Sequence, residues 1–135
     1  MKYLILLLFI STTLFTSCMP KSSDYYTVKA RITYYYNGQD KWGSQVADPR
    51  TKRAKQGVTV AAHPKFKFGQ KIEIPQLAKQ FGDSGFIVQD RGSAVTKKTA
   101  AKGRGYVFDV YCKDRGTYRR MIKNSEWMTV RIYRN

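Results

Sequence analysis

Three residues that can transfer protons stand at or within short β-like runs of this sequence. His63, the only histidine, ends one run, Asp90 ends another, and Asp109 lies inside a third. Carboxyl and imidazole groups act as general acids or bases when their protonation is tuned to the working pH. We therefore interpret Asp109, Asp90 and His63 as the candidate catalytic residues of an enzyme.

Asp109 is the most informative of the three. It lies within residues 106–112, an apolar run in which charges are normally avoided, and strand alternation puts Val107 and Tyr111 on its face. Apolar surroundings disfavour the ionised form and raise the pKa of a carboxyl, which keeps the group protonated as a general acid. The alternative is a structural aspartate paired with a neighbouring Arg or Lys.

The other two candidates also have alternatives. Asp90 precedes Arg91 and Gly92, a turn at which the backbone can approach a ligand and Arg91 can bind it. The same residues would also form an Asx turn, in which Asp90 simply binds backbone amides. His63 precedes Pro64 and could orient or protonate a substrate group, or be structural.

Strand patterns must position these residues. Runs of β-forming residues predict six strands, at residues 28–36, 58–62, 71–74, 86–89, 106–112 and 128–133. Residues 117–122 predict one short helix, whereas residues 37–56 and 93–105 predict long loops. The pattern favours a mostly-β domain closed into a small barrel, because closure removes exposed strand edges.

The N-terminus predicts export. Residues 3–15 form an apolar run, too short to span a bilayer, that follows Lys2. The small residues before Cys18 resemble the lipobox of bacterial lipoproteins. We expect a signal peptide at residues 1–17, lipidation of Cys18, a tether at residues 18–24 and one domain at residues 25–135. Acyl chains at Cys18 would anchor the protein to a membrane, facing the periplasm or cell wall. The alternative is an ordinary cleaved signal with an incidental cysteine.

The chain is strongly basic, with 25 Lys and Arg against 9 Asp and Glu. Inside a cell this balance would favour nucleic acid. The export signal argues against nucleic acid as a partner and favours anionic wall polymers and lipid headgroups; a merely soluble surface is the alternative. Lys97 and Lys98, in the basic segment 93–105, are interpreted as substrate-binding residues. We expect no metal and no cofactor, since one histidine and Cys112 make a poor ligand set.

Several aromatic residues could stack against sugar rings, although aromatic side chains more often pack in a core. They are Tyr34, Tyr35, Tyr36, Trp42, Tyr118 and Trp127.

Two groups of motifs resemble known bacterial families. Residues 61–72 with residues 89–92 look like the central motif of rare-lipoprotein-A-type proteins. Residues 90–94 followed by residues 108–111 are similar to the 3D domain of membrane-bound lytic transglycosylase A and its relatives. Both families share a six-stranded double-psi β-barrel. The resemblance therefore implies that fold for residues 28–134. The residue pattern itself predicts long loops and at most one or two short helices.

The resemblance also implies a lytic transglycosylase that cleaves the MurNAc–GlcNAc bond of peptidoglycan and leaves a 1,6-anhydro product. Asp109 matches the acid/base of the 3D domain, Asp90 its partner, and His63 the histidine of the rare-lipoprotein-A motif. Two departures stand out: the segment between the aspartates is longer than usual, and Lys52 stands near the position of an upstream glutamate, for which Asp48 could substitute. The alternative is a non-catalytic barrel that binds peptidoglycan. We expect a monomer.

Overall fold

The computed structural model describes residues 24–134. The predicted signal peptide, the lipidated Cys18 and all of the tether except Asp24 lie outside the described residues. Within residues 24–134, no helix combines the length and the apolar composition needed to cross a membrane.

Six strands provide most of the regular structure. In chain order they are β1 (Tyr25–Tyr36), β2 (Thr59–Ala62), β3 (Lys71–Glu73), β4 (Gly85–Asp90), β5 (Tyr106–Cys112) and β6 (Trp127–Tyr133). All six predicted strands are confirmed. Each is marked in the sequence by a run of apolar or β-forming residues. The largest difference is at β1, which begins at Tyr25 instead of residue 28 and is 12 residues long.

Three short helices accompany the strands: α1 (Ala78–Phe81), α2 (Ser93–Thr96) and α3 (Arg115–Met121). The prediction of at most one or two helices was therefore wrong. Only α3 was recognised, and its first turn is capped by Asp114, whose side chain accepts a hydrogen bond from the Thr117 amide. The other two have four residues each, which is too short for a helical period to show in the sequence.

The strands form one sheet in the order β1-β5-β2-β4-β3-β6, and β6 pairs with β1 to close the ring. The β1/β5 and β2/β4 pairs are parallel, and the other four pairs are antiparallel. Each of the six strands therefore pairs with two others, and β1 does so through two halves: residues 25–31 pair with β6 and residues 30–36 with β5.

Buried apolar side chains fill one face of this ring. They include Ile32, Val60, Ile72, Phe86, Val88, Phe108, Val110, Val130 and Ile132. A second, smaller cluster contains Ala61 and Val107 together with Val95 and Ala101. Because neighbouring residues of a strand point to opposite faces, Ala61 and Val107 lie on the outer face, away from Val60 and Phe108.

The segment at residues 93–105 covers that outer face. Val95 of α2 and Ala101 of the following 3₁₀ turn, Thr99–Ala101, are both buried against β2 and β5. The segment was predicted as a basic loop, and this prediction was wrong. It is a folded cover that packs through small apolar residues, and its Lys97 and Lys102 are exposed.

Candidate active site

The two candidate aspartates belong to one row of residues that crosses four strands. Asp109 of β5 is in register with Thr33 of β1 on one side and with Ala61 of β2 on the other. Ala61 is in turn in register with Asp90 of β4. Two strand spacings put the backbones of the two aspartates about 10 Å apart. The small side chain of Ala61 between them leaves the space above β2 open.

A register shift makes this row possible. Val60 pairs with Val88, but Ala61 pairs with Asp90, so the ladder skips Gln89. With regular alternation Asp90 would share the inner face with Val88. The irregularity instead turns Asp90 to the outer face, beside Asp109. Bulges of this kind re-aim side chains next to functional sites.

Three members of the row, Ala61, Asp90 and Asp109, line a cavity of about 640 Å³. Tyr35 and Tyr36 at the end of β1 also line it, and Arg91 to Ala94 lead into α2. The segment after β1 contributes Gln39, Asp40, Trp42, Gly43, Gln45, Val46 and Ala47. The cavity thus holds carboxyl groups, aromatic rings and amides, the mixture of groups that binds sugars.

Asp109 has the properties of a general acid. Its pKa is raised to about 6: burial is the main cause, a hydrogen bond from Thr33 opposes it, and the nearby negative charge of Asp90 adds to the rise. That bond runs from the Thr33 hydroxyl to Oδ1 of Asp109 over 2.8 Å. None of the ion pairs formed by residues 24–134 includes Asp109. The alternative of an aspartate paired with Arg or Lys is therefore wrong for the described part of the chain.

Asp90 is held firmly by the protein. Its Oδ2 accepts a 2.8 Å hydrogen bond from the Tyr35 hydroxyl, and its Oδ1 accepts from the amides of Ala47 (3.0 Å) and Arg91 (2.8 Å). The carboxylate is only 8% exposed. Burial and the charge of Asp90 together raise the pKa of Tyr35, so its phenol keeps the proton that it donates. Asp90 therefore fixes the cavity wall and places a negative charge close to Asp109.

The Arg91 guanidinium forms hydrogen bonds with the protein backbone. It donates to the carbonyl oxygens of Ala62 (3.1 Å) and Phe66 (2.7 Å), and it stacks 4.0 Å from the centre of the Phe68 ring. Burial lowers its pKa. The side chain lines the cavity, yet these contacts brace the turn after β2, so a role in binding substrate stays a prediction.

His63 is not brought together with the aspartates in the cavity. Its Nδ1 accepts a 3.1 Å hydrogen bond from the Lys65 amide, and its ring lies 5.7 Å from that of Tyr106. Burial lowers the pKa of His63, and the positive charges of Lys98, Arg91 and Lys65 lower it further. A catalytic role beside Asp109 has no support in this placement, although His63 stands just past the end of the strand that carries Ala61.

Lys97 and Lys98 also lie outside the cavity lining. Lys97 follows α2 and is exposed. Lys98 has a left-handed backbone, with φ of 53°, and its Nζ lies 4.5 Å from the centre of the Tyr106 ring. A contact of Lys98 with substrate would thus occur beside the cavity, on the side of His63. The structure gives no contact of this kind for Lys97, whose role stays a prediction.

The candidate aromatic residues divide into two groups. Tyr35, Tyr36 and Trp42 line the cavity, and Trp42 is 60% exposed. Tyr34 is buried in the core, Tyr118 packs on Tyr36, and Trp127 lies elsewhere. Trp42 could be singled out from the sequence because it is a lone tryptophan in a polar segment that contains glycines. Thr33, the partner of Asp109, gave no signal at all.

Asp48 does not line the cavity, so it does not substitute there for the upstream glutamate of the families that the sequence resembles. Its carboxylate is buried and is bound by the Arg50 guanidinium through two contacts of 3.0 Å. These bonds lower its pKa, and the Arg50 side chain is itself largely exposed. Asp48 therefore has a structural partner of its own.

The described residues contain no cluster of three or more His, Cys, Asp or Glu side chains that could hold a metal ion. Cys112 is buried and unpaired within residues 24–134, and burial raises the pKa of its thiol to about 12. No family model, curated protein or solved structure matches the chain. The chemistry of the cavity therefore carries the functional proposal.

Proposed function

We propose that the protein is a peptidoglycan lytic transglycosylase that cleaves the MurNAc–GlcNAc bond with Asp109 as acid and base. One observation carries this proposal: Asp109 is a carboxyl with its pKa raised to about 6, at the floor of a cavity of about 640 Å³. A carboxyl tuned in this way is protonated in mildly acidic conditions and can still lose its proton during a reaction.

The reaction would use the Asp109 carboxyl twice, first as an acid and then as a base. Protonated Asp109 donates to the glycosidic oxygen, that bond breaks, and positive charge develops at C1 of MurNAc. The Asp109 carboxylate then accepts the proton of the muramoyl 6-hydroxyl as its oxygen bonds to C1. The products are a free 4-hydroxyl on GlcNAc and a 1,6-anhydro ring on MurNAc, and no water is consumed. The fixed charge of Asp90 supports the positive charge at C1.

The fold that goes with this function is a double-psi β-barrel. The closed order of six strands and the parallel pairs β1/β5 and β2/β4 support this assignment. So does the position of the aspartates, since the residues that resemble the 3D domain, 90–94 and 108–111, begin at the end of β4 and lie in β5, the two strands that flank β2.

The proposed setting is the cell envelope. A signal peptide at residues 1–17 would be removed, and a lipid on Cys18 would hold the domain at a membrane through a short tether. The excess of 25 basic over 9 acidic residues would keep a monomeric domain close to the anionic wall.

A second candidate is a wall-binding domain without activity. The observation that favours it concerns Asp90, whose carboxylate oxygens already accept three hydrogen bonds from the protein itself. Exposed Trp42 at the cavity would then serve binding alone.

Purified sacculi distinguish these candidates. The chain from Met19 onward, which keeps every described residue, should release anhydromuropeptides that mass spectrometry detects, and Asp109→Asn should release none. Products with reducing ends would instead show a hydrolase. Sedimentation with sacculi and no soluble product from either form would favour the wall-binding domain.

A further inference from the structure

Beside the cavity, three basic side chains from three segments meet on one aromatic ring. Lys98 Nζ lies 4.5 Å and Lys65 Nζ 5.4 Å from the centre of the Tyr106 ring, and the His63 ring lies 5.7 Å away. His63 follows β2, Lys65 belongs to the next turn, and Lys98 comes from the cover over β5. We call His63, Lys65, Lys98 and Tyr106 the basic cluster.

The basic cluster has no negative partner in the described protein. The ion pairs formed by residues 24–134 are Asp48–Arg50, Glu73–Arg131 and Asp24–Arg134, and none includes a member of the cluster. After burial, every cause that lowers the pKa of His63 is a positive charge, namely Lys98, Arg91 and Lys65. Cations at this spacing repel one another, and an anion among them would relieve that repulsion.

The cluster borders the cavity. Arg91 lines the cavity and donates to the carbonyl of Ala62, the residue before His63. Its guanidinium is also close enough to lower the pKa of His63. A ligand seated over Asp90 and Asp109 can therefore extend across Arg91 and reach the basic cluster.

We propose that His63, Lys65 and Lys98 form a binding site for the carboxylate or phosphate of an anionic ligand, with Tyr106 as its floor. Lys65 and Lys98 supply the charge, and His63 adds a third positive charge when it takes up a proton. Tyr106 holds both ammonium groups against its ring, so that their remaining N–H groups stay available to the ligand. The site is separate from Asp109 and does not require glycan cleavage.

The only histidine of the chain makes the site directly observable. The ring-proton NMR signals of His63 cannot be confused with others, and their pH titration gives its pKa. Two probes distinguish the sources of the anion: inorganic phosphate, and the dipeptide D-alanyl-D-alanine with its free carboxylate. The full chain would carry Asp109→Asn, so that cleavage plays no part, and sodium chloride would keep the ionic strength constant.

We expect at least one probe to raise the pKa of His63 by about half a unit or more, because a bound anion favours the protonated imidazole. A response to phosphate alone would identify a phosphate site, and a response to the dipeptide but not to its C-terminal amide would identify a carboxylate site. No change with either probe would overturn the proposal.

Single variants test the residues. Lys98→Gln and Lys65→Gln should each weaken probe binding about fivefold, because each removes one of the converging charges. Lys102→Gln is the matched control, since Lys102 shares the cover and the left-handed backbone of Lys98 but has no contact with the Tyr106 ring. Equal losses in Lys98→Gln and Lys102→Gln would show general attraction by surface charge and would overturn the site.

Discussion

Asp90 and Asp109 are both in register with Ala61, one from each side of β2. They share the outer face only because the β2/β4 ladder shifts between Val60 and Ala61. The shift gives the pair unequal surroundings: Asp90 is bound by three donors, whereas Asp109 accepts one hydrogen bond from Thr33. Two carboxyl groups with different surroundings are the usual basis for separate acid and charge-stabilising roles.

The rate of cleavage should depend on the protonation of Asp109. With its pKa near 6, activity on sacculi should fall as pH rises from 6 to 8, because the proton donor is lost. Asp109→Asn should reduce the release of anhydromuropeptides by about 10²- to 10⁴-fold, the usual contribution of a general acid. Circular dichroism and sacculus binding serve as controls and should be unchanged. A flat rate between pH 5 and pH 8 would remove Asp109 from this role.

Asp109→Asn should also make the protein more stable at neutral pH. The folded-state pKa of about 6 lies above the unfolded value of about 3.9, so the unfolded chain loses its proton first and stability falls as pH rises from about 4 to about 6. Asparagine keeps the acceptor for Thr33 and removes the charge. The gain in unfolding free energy should be on the order of 3 kcal/mol at pH 7.5 and close to zero below pH 4. Urea denaturation at the two pH values measures it, and an equal effect at both would contradict the assignment.

Two adjacent tyrosines should respond in opposite directions to the loss of a hydroxyl. Tyr35→Phe removes a donor from the buried Asp90 carboxylate and should cost about 1–3 kcal/mol of stability. Tyr34→Phe removes a buried hydroxyl that finds no hydrogen-bond partner among residues 24–134, and it should be neutral or stabilising. Denaturant unfolding of the two variants side by side checks this pair, and similar losses in both would contradict the hydrogen-bond argument.

Trp42 should contribute to glycan binding. Its ring lines the cavity and is 60% exposed, as a stacking surface for a sugar must be. Trp42→Ala should weaken sacculus binding about fivefold, equivalent to roughly 1 kcal/mol for one aromatic contact. Trp127→Ala is the control, since Trp127 is 44% exposed and lies outside the cavity. Equal weakening by both variants would indicate a general loss of apolar surface.

The strands were predictable from the sequence because β1 and β6 alternate between apolar and polar residues, and the others are short runs of apolar or β-forming residues. Their order was not, since β1 pairs with β5 across a separation of 76 residues, and nothing local records that partner. The cover at residues 93–105 was wrongly predicted as a loop, because its packing also depends on residues that are distant in the sequence. Val95 and Ala101 are small apolar residues among lysines, and only contact with β2 and β5 shows that they are buried.

The site was predictable only in part. Asp109 could be recognised from the sequence because a charged residue is unusual inside an apolar strand. Alternation along β4 puts Asp90 on the inner face with Val88, and the one-residue shift that reverses this is a property of the pairing. His63 was grouped with the aspartates because it follows the same strand as Ala61, but the chain turns there toward Tyr106.

Closure of the ring also sets the timing of folding. The first strand, β1, pairs with the last strand, β6, as well as with β5, so β1 stays half unpaired until residues 127–133 have been synthesised. Pairings between such distant segments form slowly, because the loop between them must close before any contact is gained. A growing chain of this protein therefore cannot complete its ring of strands until its last strand is made.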